Sequence, residues 1–230
     1  MIKNITYELD KLKKRILQLG SEVEANLIKA EAALLDFDQK LAAEIIATDN
    51  DIDTMEMSVE ENCLKILAQH TPVARDLRFV VSVLKINIDL ERIGDLTVKI
   101  ADRIQLLAHQ DYVPFTSPPT VQFSEQFRRM FAETNKMVKM SLDSFVDMDA
   151  DLAYKVRLWD DHVDEAKKAI RIEIEAVAQQ DGSQQQYLGM LLSVSRSLER
   201  IADHATHIAE DVIYMLKSQI VRHGIDSQGN

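Results

Sequence analysis

Carboxylates recur one helical turn apart at four places in this chain: Asp49 with Asp53, Glu91 with Asp95, Asp160 with Asp164, and Glu199 with Asp203. Residues four apart share a helix face, so each pair sets two carboxylates side by side, where their repulsion costs roughly 0.2–0.5 kcal/mol in water and more once water is excluded. Something positive should offset that cost. Oxygen-only clusters suit hard cations or iron, and two carboxylates one turn apart can chelate or bridge metal ions. The competing reading is a solvated or salt-bridged face, because Lys99 follows Asp95 by one turn, His207 follows Asp203 by one turn, and Glu91 can meet a Lys or Arg on a neighbouring helix. Any one pair arises by chance in so acidic a chain. Four pairs at equivalent places in an internal repeat are harder to attribute to chance.

The repeat is legible at two offsets. At 111, Asp36, Asp38, Leu41, Ala42, Asp49 and Asp53 fall on Asp147, Asp149, Leu152, Ala153, Asp160 and Asp164. At 108, the run Leu90-Glu91-Arg92-Ile93-Gly94-Asp95 falls on Leu198-Glu199-Arg200-Ile201-Ala202-Asp203, so the second copy is three residues shorter between the two blocks. The only prolines are Pro72, Pro114, Pro118 and Pro119, which leaves long stretches without a helix breaker. Asp38 is a candidate N-cap, Thr71-Pro72 a second, Asp149 or Asp147 a third, and Asp181-Gly182-Ser183 a stop followed by a cap. These signals predict helices over 5–36, 38–69, 72–108, 121–147, 149–180 and 183–219. Long helices joined by short turns pack antiparallel, so the expected fold is all-α: two pseudo-symmetric three-helix bundles. Residues 1–110 form the first repeat, 111–119 a Pro-rich linker, 120–219 the second repeat and 220–230 a flexible tail.

On a 3.6-residue projection of the third helix, Leu77, Leu84, Ile88, Glu91, Asp95, Asp102 and Leu106 share a narrow band, so the acids are expected to continue an apolar stripe. On the second helix, Asp49, Asp53, Glu56 and Glu60 share a meridian with Ile45, Ile46, Leu64 and Leu67. Antiparallel packing then brings the acids together at one end of each bundle. The first cluster holds Asp49, Asp53, Glu91 and Asp95, and the second Asp160, Asp164, Glu199 and Asp203.

Composition narrows the function. The 230 residues are 46% apolar but only 6% aromatic, with six Gly, which suits helices over sandwiches or barrels. With 27 Lys and Arg against 38 Asp and Glu, the net charge of −11 disfavours nucleic acid and anionic lipid as partners. The opening residues lack the apolar core of a signal peptide, no stretch is long and apolar enough to span a bilayer, and Cys63 is alone, so the expected location is the cytoplasm, without direct membrane insertion. A di-iron carboxylate enzyme or metal store, the alternative reading, needs Glu-x-x-His on two helices, and no His in this chain has Glu three residues before it. With no nucleophile–base pair, Gly-rich phosphate loop or Cys/His cluster in view, the chain is expected not to be an enzyme. His204 is assigned to the helix surface, with metal contact as the lesser reading. Cys63 is expected to be a buried small hydrophobe and Trp159 to fill a seam. The Arg75-Asp76-Leu77-Arg78 segment serves packing or partner contact.

Pro72-Val-Ala-Arg-Asp-Leu-Arg78 leading to Asp89-Leu-Glu-Arg-Ile-Gly-Asp95, together with Ser197-Leu-Glu-Arg-Ile-Ala-Asp-His204 and Ile208-Ala-Glu-Asp-Val-Ile-Tyr214, resembles the PhoU family of phosphate-signalling regulators, over nearly the whole chain. Ala202 departs from the Gly often found there. The resemblance implies two three-helix repeats, metal ions (iron, zinc, manganese or magnesium) at the four acidic motifs, and a homodimer. It also implies a negative regulator of the phosphate regulon that links the ATPase subunit of the phosphate ABC transporter to a sensor histidine kinase and modulates phosphate uptake.

Overall fold

The computed structural model describes residues 5–107, 124–180 and 185–221. The same capping turn opens the second rod of each half. Phe37 and its repeat partner Met148 adopt left-handed backbone (φ 48° and 53°), after which Asp38 and Asp149 cap a helix. The Asp38 carboxylate accepts from the Lys40 and Leu41 amides at 2.9 and 3.0 Å, and that of Asp149 accepts from Asp151 and Leu152 at the same distances. Each cap satisfies amides that the first turn leaves unpaired, which is worth about 1 kcal/mol.

Seven helices follow in order: α1 (Ile5–Asp36), α2 (Gln39–Ala47), α3 (Asp49–His70), α4 (Ala74–Leu107), α5 (Ser124–Asp147), α6 (Ala150–Gln180) and α7 (Gln185–Lys217), with no strand among the described residues. The single rod expected over 38–69 is bent into α2 and α3 at Thr48. Its hydroxyl donates to the Ile45 carbonyl at 2.7 Å and accepts from the buried Asn26 amide of α1 at 2.5 Å, so the side chain competes with the helical ladder. The repeat partner of Thr48 is Trp159, and α6 runs through it unbroken. Thr71 differs from expectation too: it takes left-handed backbone (φ 46°) and ends α3, and α4 starts at Ala74 rather than at Pro72. The Pro-rich linker and the Asp181-Gly182-Ser183 turn lie outside the described residues. After α7, Val221 is buried at 3% exposure, so the start of the segment expected as a tail packs against the bundle; residues 222–230 lie outside the described residues.

In the first half α1, the bent α2–α3 rod and α4 pack together; in the second, α5, α6 and α7 do so. Equivalent helices also meet across the pseudo-twofold, α4 against α7 and α1 against α5, so one apolar core runs through both halves. Phe79 of α4 stacks on Phe145 of α5 with ring centroids 6.0 Å apart, and Gly20 of α1 lets Leu142 of α5 approach. A Cβ at position 20 would lie 2.9 Å from a Leu142 methyl.

This packing corrects the stripe expected on the third helix. α4 touches α1, α2, α3 and α7, so most of its circumference is covered, and the core-facing band is Val80, Val83, Ile86, Leu90, Ile93 and Ile100. Leu77, Ile88 and Leu106 are exposed, as is Leu64 on α3. Glu91, Asp95 and Asp102 lie along this outer band with Ile88 and Leu106 rather than extending the core.

Candidate functional site

In the first half, Asp49 occupies the first position of α3, Asp53 follows one turn later, and Glu91 and Asp95 sit on α4. Burial, with Asp53, Asp95 and Asp102 around it, pushes the Asp49 carboxyl above its ordinary range, and Lys99 opposes them. Burial also raises Glu91; Asp95, Asp53 and Glu56 add to this and Arg92 relieves part of it. The acids of α3 and α4 therefore act on one another across the helix pair, joined by Asp102 and Glu56. Asn87, 1% exposed on α4, sets the register by donating to the Glu56 carbonyl at 3.0 Å and its carboxylate at 2.8 Å. Local cations offset part of the charge: Arg92 lies 3.4 Å from Glu91 and 3.3 Å from Asp95, and Lys99 lies 3.9 Å from Asp95.

The second half repeats the arrangement. Asp160 and Asp164 project from α6, Glu199 and Asp203 from α7. Burial, then Asp203, Asp164, Asp161 and Glu199, pushes the Asp160 carboxyl up to about 6. Burial and Glu199 also raise Asp203, against the pull of His207 and His204. Lys167 reaches Glu199 at 2.7 Å. Trp159 borders the cluster, half-buried between the His162 ring (centroids 4.4 Å apart) and the Lys136 ammonium (3.6 Å from the ring centroid), with its indole N–H donating to Glu133 at 2.7 Å.

Each expected acidic set thus converges on one helix pair, but neither draws three ligand atoms within 4.8 Å of one another; among the described residues that closeness belongs to Asp89, His204 and His207. His204 is not a surface residue: its ring turns across the α4–α7 seam to Asp89 at 2.8 Å, with the side chain 17% exposed. His207 follows to the same Asp89 oxygen at 3.5 Å instead of pairing with Asp203. Burial works to raise the Asp89 carboxyl, yet the hydrogen bonds and charges of His204 and His207 outweigh it and hold the group below its ordinary value. Asp89 lies off the acidic meridian, and its role depends on α4 meeting α7, which no spacing within either helix reveals. Cys63 is buried as expected, and burial followed by Glu60 pushes its thiol up to about 12.

A PhoU domain model matches residues 16–104 and again 127–212. The phosphate-specific transport system accessory protein PhoU homolog of Pseudomonas aeruginosa is 37% identical over 217 residues, covering 94% of this chain and 86% of that protein. The phosphate-specific transport system accessory protein PhoU of Escherichia coli is 31% identical over 216 residues, with the same coverage of 94% and 86%. The crystal structure of PhoU from Pseudomonas aeruginosa aligns with a TM-score of 0.87 at 35% identity, over 94% of this chain and 100% of that one. The phosphate transport system regulatory protein PhoU from Streptococcus pneumoniae aligns with a TM-score of 0.82 at 27% identity, over 95% and 99%. Two matched copies that span both bundles, in a fold shared with these solved relatives, make the chain a member of the PhoU family.

Proposed function

We propose that this protein is an accessory regulator of a phosphate-specific transport system, acting in the cytoplasm as a non-enzymatic adaptor that holds the phosphate regulon repressed when phosphate is plentiful. The observation that carries this reading is correspondence over 94% of the chain to relatives named as accessory proteins of that system. Its partners on this reading are the ATPase subunit of the phosphate ABC transporter and a sensor histidine kinase, and it works as a homodimer. No helix among the described residues is long and apolar enough to cross a membrane, which fits action through membrane-bound partners. Exposed Leu64 on α3 and Leu77, Ile88 and Leu106 on α4 give the helical faces apolar anchors for such partners.

The acidic clusters are read as metal sites, and the donor chemistry fits. Four carboxylates on two packed helices offer only oxygen, and Asp160 is pressed upward by burial and by other carboxylates. A bound iron, zinc, manganese or magnesium ion would supply the missing positive charge. Asp160 and Asp164 would hold it from α6, Glu199 and Asp203 from α7, with the equivalent set Asp49, Asp53, Glu91 and Asp95 between α3 and α4. Side-chain rotation must close each set, since the carboxylates are more widely spaced than a filled coordination shell requires.

Metal analysis of protein purified without chelator and then supplied with iron, zinc or manganese tests the metal reading. Near-stoichiometric metal that falls in Asp95→Ala plus Asp203→Ala supports it; substoichiometric metal unchanged by those substitutions leaves the clusters as surface charge. The regulatory reading is tested by co-purification from phosphate-replete cells, which should recover the transporter ATPase or the kinase with the tagged chain.

A further inference from the structure

The seam between the two halves carries a donor set different in kind from the all-oxygen clusters. Asp89 stands on α4, and His204 and His207 stand one turn apart on α7. Both imidazoles place Nδ1 against the same carboxylate oxygen, Asp89 Oδ1, at 2.8 and 3.5 Å. The side chains of Asp89 and His204 are 13% and 17% exposed, whereas that of His207 is 52% exposed, so the group is anchored on its inner side and open on its outer side. A cleft of about 450 Å³ opens beside it, bordered by Asp203, Thr206, Glu210 and Asp211. The one lysine on that border, Lys85, is drawn to Asp211 at 3.0 Å.

We propose that Asp89, His204 and His207 form a binding site for a divalent transition-metal ion of the zinc class, bridging the two repeats. Two imidazoles with one carboxylate are the borderline donors that favour zinc, cobalt or ferrous iron over magnesium and calcium. Ligand bonds of about 2.0–2.2 Å place neighbouring donor atoms roughly 3.0–3.5 Å apart around an ion. The two separations from Asp89 fall close to that range, so the side chains need only small rotations to accept the ion. To ligate through Nδ1 each ring must carry its remaining proton on Nε2: a neutral imidazole shifts its proton there by exchange with solvent, and a protonated imidazole releases one proton to solvent. The three protein ligands leave the cleft side for water or a further donor, and the acidic border favours entry of a cation.

The site breaks the pseudo-symmetry. At the repeat offset of 108, Asp89 corresponds to Ser197, His204 to Leu96 and His207 to Lys99. No second copy of this donor set is built, so one such ion per chain is expected, tying α4 to α7 where the two bundles meet. The proposal does not depend on the acidic clusters, and its test keeps the two apart.

Full-length protein stripped with chelator is titrated with Co²⁺ and then with Zn²⁺. The wild type should take up Co²⁺ with visible ligand-field absorption, displaced by Zn²⁺. His204→Gln plus His207→Gln should abolish that absorption and weaken Zn²⁺ binding at least tenfold. Asp53→Asn plus Asp95→Asn, in an all-oxygen cluster, should lower the total metal bound yet keep the ligand-field absorption and the tight Zn²⁺ step of the histidine site. His207→Gln alone, at the exposed ligand, keeps the fold out of question and should also weaken Zn²⁺ binding, with the circular dichroism of the wild type. Absence of Co²⁺ absorption in the wild type, or absorption and Zn²⁺ affinity unaltered in the double histidine variant, overturns the proposal and leaves the triad as a hydrogen-bonded clamp between the repeats.

Discussion

Replacing Asp160 with Asn should make the metal-free protein more stable at neutral pH, because the native carboxylate sits among charges of its own sign. An Asp carboxyl ordinarily titrates near 3.8, and here burial with Asp203, Asp164, Asp161 and Glu199 carries it to about 6. Between those values the folded chain holds a proton that the unfolded chain has released, so stability falls as pH rises through this window and stays at its lowered level above it. Two pH units correspond to about 3 kcal/mol, and screening by water at this half-buried site reduces the expected effect to about 1–1.5 kcal/mol. Asn cannot ionise, so the variant should match the wild type near pH 4 and exceed it by that amount at pH 7.5. Urea unfolding in EDTA at several pH values, followed by the fluorescence of Trp159, the only tryptophan of the chain, reads this directly. Adding the ion that fills the cluster should reverse the order, since a ligand at 100 times its Kd stabilises the native state by about 2.7 kcal/mol and Asn binds it less well. A wild type as stable as the variant at pH 7.5 in EDTA would refute the electrostatic reasoning.

Three further outcomes follow from the packing. Thr48→Val keeps the shape of the bend but removes the hydroxyl that meets Asn26 and Ile45; it should cost about 1–2 kcal/mol in urea unfolding. Gly20→Val drives methyl groups into Leu142 and should cost about 1–3 kcal/mol, part of which Leu142→Ala restores in a double-mutant cycle. Cys63, the only cysteine, should resist a thiol reagent at pH 8 in the native protein and react once urea exposes it, because its buried thiol is pushed up to about 12.

The helical architecture is legible in the sequence because its signals are local. Asp38 and Asp149 cap where the spacing puts them, and the repeat at offsets of 111 and 108 pairs each helix with its counterpart. Thr71 is misassigned because Thr before Pro reads as an N-cap, whereas here it ends α3 in a left-handed backbone that β-branched residues rarely adopt. The bend at Thr48 depends on Asn26, a partner far away in sequence. The acidic sets are legible as helix-face pairs, and antiparallel packing accounts for their meeting. Which band of α4 faces outward is not legible, because a helix covered by four neighbours carries apolar residues almost all round. Asp89 with His204 and His207 is the hardest to see, since it exists only where two halves of the chain meet, and its repeat counterparts Ser197, Leu96 and Lys99 give no echo of it.

The proposed regulatory role is tested most directly by what the cell does without this chain. A strain lacking it, carrying a reporter for phosphate-starvation genes and grown in phosphate-rich medium, should express that reporter as though starved. Restoring the chain should silence the reporter, and restoring it with Glu91→Gln plus Glu199→Gln should silence it only weakly while helix content stays intact. A deletion strain that keeps its starvation genes silent in high phosphate would contradict the proposed regulatory role.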